Sequence, residues 1–189
     1  MTVSDAALVT VEAFEQIIAL PENQDRRLEL IAGEIVETMP TEEHSAIQLL
    51  IASLIREFVI RHKLGRMGIE VRHQLPNAPG HSLIPDVSFT AGVRPLVKHG
   101  AVPYMPDLAV EVLSPSDSLR QTREKAAYYL ANGTRLVWIV NPAKRIVLVL
   151  TPQEDDVLLE NETLNGGDVL PGFTVAVRTL FIDPFLDAE

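Results

Sequence analysis

The sequence predicts a mixed α/β (α+β) domain, a central sheet with helices on its faces, whose core runs helix, strand, strand, strand, helix, strand. Three observations carry this. Apolar residues recur at helical spacing in the stretch following Glu42 and again following Ser118. Short apolar runs bounded by proline or glycine lie at 84–90, 108–113 and 135–140. A chain of 189 residues, 47 % hydrophobic and 22 % charged, is long enough to bury one substantial core. A mixed order of such segments predicts a central sheet with helices packed on its faces.

Residues 9–19 are apolar at helical spacing and predict a short helix. Arg27 to Ile31 and Glu34 to Thr38 form two strand-like runs around Ala32-Gly33, the pattern of a hairpin with glycine at its turn. Thr41, Glu42 and Glu43 then suit a helix N-terminus, and the helix carries Ile47, Leu50, Ile51, Leu54, Ile55 and Phe58 on one face to about His62. Residues 67–75 alternate imperfectly as a strand, and 77–80 are turn-rich. After the strands at 84–90 and 108–113 comes a helix to about Ala131. Ser118 with Gln121 fits a capping box there, and Gly133 fits the stop. Its expected buried face is Ala126, Ala127 and Leu130, with Lys125 at the border. Strands at 135–140 and 145–150 flank an Asn141-Pro142 turn. In the tail, 157–159 and 173–177 are expected to add antiparallel strands at a sheet edge. No repeat or linker divides the chain, so residues 1–189 are expected to form one domain. Its parts are an N-terminal helix and hairpin (1–43), a core (44–150) and C-terminal strands (151–189).

Composition excludes several chemistries. Without cysteine there is no disulfide, zinc-thiolate site or thiol nucleophile. The opening residues lack a secretory-signal pattern, and no apolar run approaches the roughly 20 residues of a membrane span, so a soluble cytoplasmic protein is expected. No phosphate-binding glycine loop, HExxH or nucleophile elbow is present. The formal charge of −10 argues, as a sum, against a nucleic-acid partner. Resolved along the chain it is uneven: residues 1–43 carry 10 acids and 2 bases, 44–150 carry 7 acids and 13 bases, and 151–189 carry 9 acids and 1 base. The middle segment is net +6 and holds all five histidines. Arg56, Arg61, Lys63, Arg66 and Arg72, with His62, His73, Arg120 and Arg123, could contact phosphates or form a solvated basic face.

Two carboxylates stand out. Asp86 follows Pro85 at the start of one strand, and Glu111 lies in an apolar strand where an unpaired carboxylate would be costly. Glu111 therefore needs a cation, and a metal, an arginine or a lysine would serve. Asp107 shares a strand face with Glu111, but four residues separate their Cα atoms by roughly 13 Å. Asp86, on the neighbouring strand, could meet Glu111 laterally across about 5 Å. Asp86 is thus the better candidate, and Asp107 is left to open its strand. Lys125 sits about two turns into the helix that follows Glu111, where its long stem can carry an ammonium along apolar surface to a polar edge.

Pro85-Asp86, Leu108-Ala-Val-Glu-Val-Leu-Ser-Pro-Ser116, Glu124-Lys125 and Trp138-Ile-Val-Asn-Pro142 together resemble the Uma-type restriction endonuclease family of the PD-(D/E)XK superfamily. Leu28-Glu-Leu-Ile31, Gly33-Glu34, His44 and Leu170-Pro-Gly-Phe173 extend the resemblance over about 28–181. It implies a restriction endonuclease-like core and a Mg²⁺-dependent endonuclease hydrolysing DNA phosphodiesters, with Mn²⁺ able to substitute. Asp86 and Glu111 match the metal ligands, and Lys125 matches the group that positions water or stabilises the transition state. Leu113 stands where the superfamily motif has lysine, two residues after Glu111. Glu34 and His44 match further polar positions of the family pattern and join the candidate catalytic set. The alternative is a nuclease-fold module that binds or dimerises without catalysis. RNA or branched DNA would share the chemistry, and a homodimer would suit duplex cleavage.

Overall fold

The computed structural model describes residues 8–76, 78 and 80–182; the turn-rich stretch 77–80 falls partly outside these, as do both chain ends. Helix α1 (Val11–Ile18) precedes a hairpin of β1 (Leu28–Ile31) and β2 (Glu34–Glu37). Ala32 at φ +50° and Gly33 at φ +82° make the two-residue turn, the doubly positive geometry that matches hairpin twist. Helix α2 (Glu42–His62) starts at Thr41, whose hydroxyl accepts from the His44 N–H at 3.2 Å. Strands β3 (Gly65–Ile69), β4 (Val87–Ala91) and β5 (Leu108–Val112) lead to α3 (Leu119–Ala131), then β6 (Leu136–Asn141), β7 (Ile146–Leu150) and β8 (Asp155–Leu158).

These six strands form one sheet in sequential order, β3 to β8. Only β5 and β6 pair in parallel, and α3 supplies the crossover such a pair requires. Both strands are buried along their whole length, which is why they read as apolar runs broken only by Glu111 and Asn141. Alternation splits the sheet cleanly. Leu108, Val110 and Val112 join Ile47, Ile51, Ile55 and Val59 of α2 in one core. Ala109 packs with Ala126 and Tyr129 of α3 in the other. A third cluster joins Leu28 and Leu30 to Val11 and Phe14, so Glu29 and Ile31 face away from α1.

Four expectations need correction. The strand expected at 67–75 runs as Gly65–Ile69, because Glu70 at φ +52° leaves the extended region; beyond it only His73 makes isolated bridges, to Leu83 and Val102. Ser118 caps α3 without a side-chain hydrogen bond, so no capping box forms. The buried face of α3 is Thr122, Lys125, Ala126 and Tyr129, while Ala127 is exposed: the acceptors beneath the helix are charged, so its polar residues turn inward. Finally, β10 (Thr174–Ala176) pairs with β9 (Thr163–Asn165) in a separate two-stranded sheet. Leu170, Phe173, Val177 and Leu180 around it fill the α2-side core, whose burial outweighs any gain from extending the main sheet edge.

Candidate active site

The register Val87↔Val110 brings the residue before β4 level with the end of β5. Asp86 and Glu111 therefore arrive at the same end of adjacent strands, on the face away from α2 occupied by α3. Glu111 Oε2 accepts from Lys125 Nζ at 2.7 Å, and Glu111 Oε1 accepts from the Tyr129 hydroxyl at 3.0 Å. Lys125 Nζ also lies 3.0 Å from the oxygens of Glu29, whose Oε1 accepts from the Ile84 N–H at 2.5 Å. Asp86 Oδ2 accepts from the Val112 N–H at 2.7 Å and lies 3.2 Å from His44 Nε2. Its Oδ1 accepts from Arg27 Nη2 at 2.7 Å. Arg27 Nη1 is 3.4 Å from Glu70, and Gln48 Nε2 donates to the Asp86 carbonyl at 3.0 Å and to Glu70 at 3.2 Å.

This is a buried ionic array. Glu29, His44, Asp86, Glu111 and Lys125 are each at most 6 % exposed. Three buried carboxylates share two permanent cations, Arg27 and Lys125, and Glu111 is the one whose charged form is disfavoured. Burial, opposed by Lys125 and reinforced by Asp86 and Glu29, pushes the Glu111 carboxyl up to about 8. Burial works against the Lys125 ammonium too, but Glu111 and Glu29 outweigh it and hold the lysine above its ordinary value. Burial, with Glu111 and Glu29 adding to it, keeps the Tyr129 hydroxyl protonated well beyond the usual phenol range. The array opens into a cleft of about 50 Å³, walled by Val36, Thr38 and Pro40 on one side and Ser114, Ser118 and Gln121 on the other.

Asp86, Glu111, Lys125 and His44 are thus brought together. Glu34 is not: it opens β2 exposed, across the hairpin from Ile31, and takes no part in the cleft lining. The acid that the hairpin does supply is Glu29. Its signal is the one that singled out Glu111, a carboxylate inside an apolar strand, and Arg27 shares its face by alternation. Tyr129, one helical turn from Lys125, is likewise set by spacing. Asp107 opens β5 at the far end, accepting from the Ala91 N–H at 2.8 Å and pairing with Arg135.

The basic stretch disperses. Arg72 turns inward to the Leu28 carbonyl at 2.8 Å and the Ser82 hydroxyl at 3.1 Å, and His73 is buried with Nδ1 2.8 Å from the Tyr104 carbonyl. Arg61 pairs with Glu57, Arg120 with Glu124 and Arg123 with Asp155.

Among the described residues no three of His, Cys, Asp and Glu are grouped to hold a metal ion by themselves. The free acceptor capacity is nevertheless considerable. A carboxylate offers about four lone-pair sites. Asp86 accepts from two donors with His44 Nε2 3.2 Å away, and Glu111 accepts from two, so lone pairs remain on both that a hard cation could draw on. Two protein oxygens and several waters is an ordinary set for Mg²⁺.

Comparison with known proteins finds a family and a solved structure that this chain resembles. Residues 11–178 match the Uma2 family, described as "Putative restriction endonuclease". A crystal structure from Anabaena variabilis, described as "a putative nuclease belonging to DUF820", superposes with a TM-score of 0.78 at 28 % identity, covering 92 % of this chain and 97 % of that one. None of the curated proteins matches.

Proposed function

The chain belongs to the Uma2 family of the PD-(D/E)XK superfamily, and from that premise we propose that it is a Mg²⁺-dependent endonuclease hydrolysing DNA phosphodiesters. One observation carries the reading: Asp86 and Glu111 converge from adjacent strands with the Lys125 ammonium 2.7 Å from Glu111, at the base of a cleft open to solvent. Asp86 and Glu111 would hold the ion, with Mn²⁺ able to replace Mg²⁺. When bound, a divalent cation supplies phosphate charge neutralisation and lowers the pKa of attacking water.

The chain's own residues perform the rest. The Val112 N–H, Arg27 and His44 fix both oxygens of Asp86, so its carboxylate is oriented before any ligand arrives. Tyr129 does the same for one oxygen of Glu111. Lys125 brings a permanent positive charge to the side of Glu111, where it can stabilise charge growing on phosphate oxygens or hold the attacking water. Leu113, at the position where the superfamily motif carries lysine, lines the same cleft. The lysine beside Glu111 is thus supplied by α3 and not by position 113.

The test is cleavage of varied DNA substrates in Mg²⁺ or Mn²⁺ by wild type and Asp86→Ala. Loss of at least roughly a hundredfold in rate is expected, since the variant removes an ion-binding oxygen. Equal cleavage by both proteins would sink the assignment. Leu113 at the motif's lysine position and the formal charge of −10 favour one second reading, a nuclease-fold module that binds without catalysis. Calorimetric titration with Mn²⁺ separates the two, because only the nuclease reading requires divalent binding at millimolar metal.

A further inference from the structure

Each of the two carboxylates proposed to hold the ion already has a protein cation on it, and each of those cations has a second carboxylate behind it. Arg27 bridges Asp86 at 2.7 Å and Glu70 at 3.4 Å. Lys125 bridges Glu111 at 2.7 Å and Glu29 at 3.0 Å. The two backing acids differ in setting. The Glu70 side chain is 41 % exposed, whereas that of Glu29 is 1 % exposed and is pinned by the Ile84 N–H.

Burying a third carboxylate here is costly, and for Glu29 the cost is offset by the Lys125 ammonium and the Ile84 N–H. The difficulty it answers is that Lys125 and an incoming cation compete for the same Glu111 oxygens. A lysine held by Glu111 alone would lose its anchor as the ion arrived, and like charges would drive its flexible stem out of the cleft. We propose that Glu29 is the positioning residue for Lys125, the carboxylate that retains the ammonium at the reacting centre when Glu111 is engaged elsewhere. The purpose of this arrangement rests on the nuclease reading above; the anchoring itself does not and can be measured without metal or substrate.

Glu29 comes from the hairpin, 96 residues before Lys125, and its side chain makes no bond to Asp86 or His44. It serves Lys125 and the Ile84 backbone, so its removal leaves the Asp86 contacts in place.

The experiment follows the Lys125 ammonium by proton–nitrogen correlation in ¹⁵N-labelled protein, with Lys125→Met to assign the resonance. Glu111→Gln removes the competing carboxyl group without any metal. The ammonium signal is expected to persist in Glu111→Gln and to vanish into solvent exchange in the Glu29→Gln/Glu111→Gln double variant, with backbone amide spectra verifying the fold. Loss of the signal in Glu111→Gln alone overturns the proposal, as does its persistence in the double variant. Should the double variant fail to fold, the Glu111→Gln spectrum still decides, because there Glu29 is the remaining carboxylate on the lysine. In the cleavage assay Glu29→Gln should lower kcat by roughly tenfold or more while leaving KM for DNA within about threefold. A calorimetric Mn²⁺ affinity that collapses in Glu29→Gln would instead make Glu29 an ion ligand and overturn the proposal. Adding Mg²⁺ to the wild type tests the nuclease reading separately: amide shifts confined to Asp86 and Glu111 support it, and their absence counts against it while leaving the anchoring result intact.

Discussion

Glu111 shares one ammonium with Glu29 inside the protein, and its carboxyl titrates near 8 when folded against an ordinary value of 4.5. Between those values the folded state holds a proton that the unfolded chain has released, so this group stabilises the fold fully below about 4.5. Its contribution declines as pH rises and is lost above about 8. The urea midpoint of wild type should accordingly fall from pH 5 to pH 8 relative to Glu111→Gln, which has nothing to titrate there. Parallel midpoints in the two proteins would refute the assignment of the slope to this residue. At this scale the sequence was informative wherever a charge interrupted an apolar run. Glu111 was legible for that reason, Asp86 through its place on the neighbouring strand, and Lys125 through its place on the next helix. Glu29 carried the same signature, but in a four-residue strand whose two buried faces no periodicity could separate. Glu34, chosen from the family pattern, stands exposed at the far end of that hairpin.

The helices and strands depend on local devices of unequal weight. Thr41 satisfies the His44 N–H at the start of α2, whereas the Ser118 hydroxyl makes no capping bond to α3. Thr41→Ala should therefore cost about 1 kcal/mol and Ser118→Ala only a few tenths, about what replacing an inactive cap costs. Denaturant unfolding of the two variants checks the order, and a larger loss in Ser118→Ala would contradict the cap assignment. Element identity was legible because the periods of 3.6 and 2 are imposed by burial, and α2 illustrates this from Ile47 to Val59. The inward face of α3 was not. Apolar periodicity selects Ala127 and Leu130, but the surface beneath this helix is ionic, and Lys125 and Tyr129 turn toward it.

For the whole molecule, the division into a basic middle and acidic flanks does not survive folding as separate territories. Arg123 of the middle segment pairs with Asp155 of the tail, and Arg145 with Glu160. The tail is also structural: Leu164, Leu170, Phe173 and Leu180 are almost fully buried, and Phe173 stacks on Trp138 with ring centroids 5.9 Å apart. A chain ending at Leu150 should fail to fold, losing several large apolar side chains each worth roughly 2–5 kcal/mol when a core is emptied. Circular dichroism and sedimentation would check this, and a soluble, cooperatively melting fragment would contradict it. Linear charge blocks were readable from the sequence. Their interleaving was not, because pairs separated by 15 to 32 residues depend on strand order rather than composition.

The hairpin's separation from the main sheet has a kinetic consequence. Glu111 and Lys125 are 14 residues apart across one strand–helix connection, so their meeting is a local event. Arg27 and Glu29 reach Asp86 and Lys125 over 59 and 96 residues, carried by two strands that bond to the rest mainly through Leu30 with Ser82 and Gly33 with Gly80. Such a unit opens at lower free energy than the six-stranded sheet. Native-state hydrogen exchange should find the Leu30 and Ser82 amides releasing well before those of β5 and β6, and uniform protection would disprove it. The centre of the protein is then completed late in folding and disassembled early in fluctuation, so a folded β5–α3–β6 unit is not yet an assembled cleft.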